Sequence, residues 1–236
     1  MSLAIAWLGR VEYRAAWRLQ EALRARILDG EAAETVLLVE HPPVITLGRS
    51  ADARNVLVEE HALAARGVAF VRTNRGGDVT YHGPGQLVAY PVVRLARGVV
   101  AHVEAMARAV IETARPLGIA ARFSRERTGV WATAPDGDRK LCAFGVHVRR
   151  RVAIHGLALN VTTPLDAFAA IVPCGIRDAG VTSIAALTGR APSVAELAPS
   201  LGARLAEAFG RAARVLSAAE IDALARSGDC FLEPAP

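Results

Sequence analysis

Arg75-Gly76-Gly77-Asp78-Val79-Thr80-Tyr81-His82-Gly83-Pro84-Gly85-Gln86 is the stretch on which the reading of this chain turns. Four glycines and a proline in twelve residues argue against a helix and against the interior of a central strand. On either side lie β-like runs, Val68-Ala69-Phe70-Val71 and Leu87-Val88-Ala89-Tyr90-Pro91-Val92-Val93. An ordinary hairpin needs only about two to five residues. A longer connection that also carries Arg, Asp, Thr, Tyr, His and Gln reads as a ligand-facing segment. Its glycines let backbone approach a ligand, and its polar side chains can orient that ligand.

Outward from this segment the pattern predicts alternating strands and helices. Residues 3–8 read as a strand. From Val11 to Leu28 the apolar residues Trp17, Leu19, Leu23 and Ile27 recur at helical spacing, and Gly30 stops the helix. Residues 35–40 and 44–48 read as extended, 59–66 as a short helix and 68–73 as the strand entering the glycine-rich segment. Beyond it come a strand over 87–95, an amphipathic helix over 100–117 and a strand over 128–133. A turn at Pro135-Asp136-Gly137-Asp138 leads into a hairpin, 140–148 and 152–161, with Arg149, Arg150 and Arg151 near its tip. A short helix over 164–171 precedes the loop Pro173-Cys174-Gly175, and residues 193–214 and 218–226 read as helical. The expectation is one domain over 1–236, with about 193–236 a helical C-terminal subregion. Its class is α/β (α+β), a mixed, largely antiparallel sheet flanked by helices, because the hairpins argue against a purely parallel sheet.

The chain has 236 residues, enough for one substantial core. No apolar run approaches the roughly 18–20 residues of a membrane span, and the N-terminus lacks a basic leader. Three cysteines at irregular spacing form neither a disulfide framework nor a zinc pattern. A soluble, cytoplasmic protein with reduced thiols is expected. The net charge of +5 is spread along the chain, with one dense knot at Arg149, Arg150 and Arg151. Scarce aromatics argue against nucleic-acid binding, whereas a mild positive excess suits an acidic protein partner. Of the 28 basic residues all but Lys140 are arginine. Arginine cannot release a proton near neutral pH and lysine can, which makes Lys140 a candidate reactive amine. Compositional bias towards arginine would give the same count.

Arg75, Gly76, Gly77, Thr80, Tyr81, His82, Gly85 and Gln86, with Tyr90 following, resemble the signature of the lipoyl(octanoyl) transferases. Two further blocks resemble the same family. One is Lys140-Leu141-Cys142-Ala143-Phe144-Gly145 leading to His155-Gly156-Leu157-Ala158-Leu159-Asn160, and the other is Pro173-Cys174-Gly175-Ile176. The resemblance implies a fold like that of the biotin and lipoate protein ligases. It implies transfer of an octanoyl group from octanoyl-acyl carrier protein to a lysine of lipoate-dependent proteins. Those acceptors would be the lipoyl domains of 2-oxoacid dehydrogenases and the glycine cleavage H protein. No cofactor, metal, nucleic acid or membrane is called for. The resemblance further implies that Cys174 carries the acyl group and pairs with Lys140. Substrate contacts are expected from residues 75–82, including Asp78 and Val79, and from the small residues of the hairpin.

Read residue by residue, a lone Cys174 is most simply a buried thiol, although a loop position favours access. An unperturbed thiol titrates near ~8.5, and a neighbouring ammonium stabilises its thiolate. His82 or His155 could serve as a base instead, or could merely position neighbours. Cys142, two residues from Lys140, is expected to share one strand face with it roughly 7 Å away, as a packing residue. Cys230, near the C-terminal tail, has no expected part. Ala143, Phe144 and Gly145, facing Gly156, Leu157 and Ala158, suit an apolar slot for a medium-length alkyl chain; close strand packing is the other reading. Oxyanion donors around Gly76, Gly77 or Gly175 stay unassigned. The alternative activities are an ATP-dependent lipoate or biotin ligase and a non-catalytic acyl-protein binding module.

Overall fold

The computed structural model describes residues 2–134, 137–172 and 180–228. The chain opens with β1 (Ser2–Arg10) and α1 (Tyr13–Asp29). Glu12 caps α1 by accepting from the N–H groups of Arg14 and Ala15, and Gly30 ends it in the left-handed conformation. β2 (Thr35–Glu40), β3 (Val44–Leu47), α2 (Glu60–Ala65) and β4 (Ala69–Arg72) follow.

β5 (Val79–His82) corrects the reading of the glycine-rich segment as one irregular connection. Val79, Thr80 and Tyr81 are strand formers. They pair antiparallel with β3, so that β4, β3 and β5 form a separate three-stranded sheet. Gly77 and Gly85, at φ 86° and 82°, turn the chain on either side. β4 and the strand that follows β5 therefore belong to different sheets.

That strand is β6 (Gln86–Val92), followed by α3 (Val99–Ala114), β7 (Ala121–Ser124), β8 (Gly129–Ala134), β9 (Gly137–Arg149) and β10 (Val152–Asn160). The chain closes with α4 (Ile184–Thr188), α5 (Val194–Ala208), β11 (Ala212–Val215) and α6 (Ala218–Arg226). The larger sheet runs β11-β1-β2-β6-β10-β9-β8-β7. β1 is parallel to both its neighbours, and every other pair is antiparallel. β11 corrects the helical reading of 193–214. Gly210, at φ 71°, turns the chain out of the preceding helix, and Ala212–Val215 add to the edge of β1.

Helices cover both faces of the large sheet. Met106 and Val110 of α3 and Leu201 and Leu205 of α5 join Ile5, Leu38, Leu87 and Leu159 in one core. Gly202 permits the close approach, since a Cβ there would lie 2.6 Å from Ile5 Cγ2. On the other face, Leu19, Leu23 and Ile27 of α1 pack on Ala6, Leu37, Val39 and Ile154. Among the described residues no helix is long and apolar enough to cross a membrane.

The β9–β10 hairpin closes on Arg150 and Arg151, at φ 47° and 66°. Such two-residue turns favour Asn-Gly, because both positions are left-handed. The Arg151 guanidinium donates to Leu95 O at 2.8 Å, fastening the tip to the chain beyond β6. Arg150→Asn removes one strained arginine and keeps that bond. It should stabilise the fold by roughly 0.5–1 kcal/mol, read as a higher urea midpoint; an unchanged or lower midpoint would contradict a strained turn.

Candidate active site

The site lies where the small sheet meets β9 and β10. Gly76 N–H donates to Val146 O at 2.9 Å. This approach requires Gly145, whose Cβ would fall 2.9 Å from Gly76 O, and Gly48, whose Cβ would fall 2.1 Å from Gly77 O. Beside this seam is a narrow groove, a cavity of about 40 Å³ as the side chains stand. Its walls include Arg75, Gly77, Asp78, Thr80, His82, Ala143, Phe144, Gly145, Gly156, Leu157 and Ala158, all expected from the sequence. Tyr13, Val88, Tyr90 and His155 complete it. Gly76, Val79 and Tyr81 stand outside the lining. Val79 and Tyr81 alternate away from Thr80 and His82, into the apolar cluster behind the small sheet with Phe168.

The glycines of the hairpin serve packing as well as the groove. The missing Cβ of Gly156 would lie 2.2 Å from Ala89 O and 2.7 Å from Pro91 Cδ. Pro91 has no N–H for the ladder, and β10 leaves its pairing with β6 between Val152 and Leu157. Within that gap His155 adopts φ 58°. Its backbone N–H donates to Gln20 Oε1 at 2.7 Å. The proline thus turns a buried imidazole into the wall.

A second, small chamber of about 10 Å³ adjoins the groove and shares Thr80, Ala143 and Ala158 with it; Gln86, Lys140, Asn160, Phe168 and Val181 are its other walls. Here the structure separates two residues expected on one face. Val130 pairs with Cys142 but Trp131 with Lys140, so Leu141 is the extra residue of a β-bulge. Leu141 and Cys142 therefore both enter the helix-side core, while Lys140 borders the chamber. Burial pushes the Cys142 thiol far up, against the weaker opposing influences of a backbone hydrogen bond and the Lys140 charge. That thiol is inert. Lys140 is 5% exposed, and its Nζ has no hydrogen-bond partner among the described residues. Its backbone N–H donates to Gly180 O and its carbonyl accepts from Thr182 N–H, both at 2.9 Å. Cys174, with the rest of the Pro173-Cys174-Gly175-Ile176 block, lies outside the described residues, as does Cys230. The chain before that block is fastened by Val172 N–H to Asn55 O at 2.8 Å. Asn55 in turn donates from Nδ2 to Asp78 Oδ2 at 2.5 Å.

Hydrogen bonds fix the buried side chains. Gln86 Nε2 donates to Tyr81 O and Asn160 Oδ1, leaving Oε1 to accept from His82 Nδ1 at 2.7 Å. Asn160 Nδ2 donates to Thr182 O at 2.9 Å. His155 Nε2 donates to Asn74 Oδ1 at 2.6 Å. His41, which nothing near it in sequence marks, donates from Nδ1 to Val11 O and accepts at Nε2 from the Tyr90 hydroxyl at 2.7 Å. The Arg75 guanidinium donates to Thr46 O and Oγ1. Burial lowers all three imidazoles, His41 to about 4, His155 to about 3 and His82 well below its ordinary value. The charge of Arg75 lowers His82 and His155 further. Both are therefore neutral, weakly basic groups suited to positioning. Among the described residues no cluster of three or more His, Cys, Asp or Glu could hold a metal ion.

The architecture, a mixed sheet with the groove against its hairpin, is that of the lipoate protein ligases. A bipartite lipoate protein ligase from Thermoplasma acidophilum superposes with a TM-score of 0.72 at 19% identity, covering 97% of this chain and 92% of that one. The family model of the lipoyl protein ligase A/B catalytic domain matches residues 12–206, and the chain belongs to that family. An octanoyltransferase of Chloroflexus aurantiacus is 44% identical over 91% of this chain and 97% of its own length. One of Solibacter usitatus is 50% identical over 78% and 83%.

The buried imidazoles set an acid limit. Unfolded histidines titrate near ~6.5, and these fold with lower values. Their contribution is full above that pH and fades as pH falls towards the folded values. At pH 5 each of His41 and His155 should withdraw roughly 2 kcal/mol. Urea unfolding at pH 7.5 and 5 should show a large drop in midpoint; equal midpoints would mean these rings are not buried neutral.

Proposed function

We infer that this chain is an octanoyltransferase of lipoate synthesis and propose that it works through a thioester on Cys174. The observation that carries the reading is the apolar groove joined through Ala143 and Ala158 to the chamber of Lys140. In this reading the alkyl chain lies against Val88, Phe144 and Leu157 with its carbonyl end towards the amine. The octanoyltransferase relatives favour this over the ATP-dependent ligase alternative. The setting we read is the cytoplasm.

The donor in this reading is octanoyl-acyl carrier protein. Cys174, as thiolate, attacks the thioester carbonyl, the carrier thiolate leaves, and one thioester replaces another. The acceptor is a lysine of a lipoyl domain or of the glycine cleavage H protein. Its amine attacks the enzyme thioester, the C–N bond forms and the C–S bond breaks. The proton lost by the amine balances the one regained by the thiol. Lys140 is the ammonium that steadies the thiolate and relays this proton, which arginine could not do. His82 and His155 orient the walls.

Incubation with octanoyl-carrier protein in the absence of ATP should add one octanoyl group, mapping to Cys174. Cys174→Ser should lose it and Cys142→Ser keep it. An octanoyl group on Cys142, or a requirement for ATP, would sink the reading.

The exposed Arg149, Arg150 and Arg151 offer the acidic carrier a docking edge at the hairpin tip. Reversing Arg149 and Arg150 should slow the carrier substrate several-fold at low salt, less at high salt, and spare a small thioester mimic. Equal losses on both substrates would place these arginines elsewhere in the mechanism.

A further inference from the structure

Lys140 supplies the only side-chain amine of this chain. Its Nζ is buried and, among the described residues, takes no hydrogen bond. It lies 5.0 Å from the centroid of the Trp131 ring, within cation–π reach. The ring itself is fixed. Trp131 is 1% exposed, its indole N–H donates to Arg127 O at 3.2 Å, and the Arg127 guanidinium lies 4.5 Å from the same ring. Gly129 makes room, since a Cβ there would lie 3.0 Å from Lys140 Cε and 3.1 Å from Trp131 Nε1.

We propose that Trp131 is the positioning residue for Lys140, its π face holding the ammonium at the chamber wall. A carboxylate in that place would neutralise the ammonium and occupy its N–H groups. A ring quadrupole attracts the cation and leaves N–H donors for a thiolate or a departing thiol. Among the described residues the other charged or titratable groups on the neighbouring chain are Asp138 and Arg139 on β9, Arg127 over the ring, and the Cys142 thiol. Thr80, Gln86 and Asn160 on the facing strands are uncharged. The proposal rests on the reading of Lys140 as the reactive amine, and its test separates the two.

Mono- to tetrafluorotryptophan at position 131 weakens the π face stepwise while keeping the shape of the ring. Lys140 modification by an amine reagent is followed against pH by peptide mass, beside kcat and KM for octanoyl transfer. Each added fluorine should move the amine profile to lower pH and reduce kcat, to about a tenth for the tetrafluoro ring, with KM unchanged. Trp131→Phe should retain more activity than Trp131→Leu. A flat amine profile across the series overturns the proposal, whatever the activity does. A graded profile with unchanged kcat would leave the contact in place and refute the catalytic part of Lys140 instead.

Discussion

Two backbones can come within hydrogen-bonding distance across a side-chain layer only where the side chains are missing, and the site depends on one such place. Gly76 bonds Val146 O over Gly145, and Gly48 lies under Gly77. This seam docks a three-stranded sheet onto the hairpin of an eight-stranded one and leaves the groove beside it. A methyl group at Gly145 would separate the two sheets, and one at Gly48 would push Gly77 out of place, before either touched any ligand. The glycine-rich segment is thus a joint first, and its polar side chains are useful because the joint holds them. Asp78 fastens it to Asn55, and Arg75 to Thr46.

The polar groups behind the groove form a chain of complementary neutral bonds. His82 binds Gln86, Gln86 binds Asn160, and Asn160 binds Thr182, whose backbone N–H meets the carbonyl of Lys140. Each buried amide is satisfied, which avoids a desolvation cost of roughly 1–3 kcal/mol apiece. Because these groups are uncharged, the positive charge of Arg75 meets no competing ionised imidazole. Low imidazole basicity follows from these low-dielectric surroundings.

Much of this was legible in the sequence, for identifiable reasons. Continuous apolar runs such as Thr35–Glu40 report a strand buried on both faces whatever lies opposite. The hairpin of β9 and β10 shows as two extended runs separated by the arginines at its tip. What escaped depends on partners distant in sequence. Val79–His82 became a strand because β3 offers it an edge. Ala212–Val215, four exposed residues of helical composition, became one because β1 does. The Leu141 bulge is defined by the register of Val130 and Trp131, so period-two counting placed Lys140 and Cys142 on one face. His41 and Tyr13 reach the site from elements whose local pattern reports only packing. Gly145 and Gly156 both line the groove and pack closely against neighbouring backbone, so their residue type alone could not separate slot from packing.

On the proposed reading the groove divides its work by chemistry. Burying an alkyl chain yields about 0.8 kcal/mol per CH₂, so each methylene lost from the acyl group weakens binding roughly fourfold. That slope selects against short chains and needs no special residue beyond apolar wall. It does nothing against long ones, which would gain by the same rule. Exclusion has to come from walls that do not yield. The groove residues not shared with the Lys140 chamber include Tyr90 and His155. Tyr90 is held by His41, and His155 by Asn74 and by the break that Pro91 imposes on the ladder. Moving either ring would strand a buried polar atom. Tyr90 and His155 are therefore the least compliant part of the wall, and on the proposed reading they would resist a longer chain.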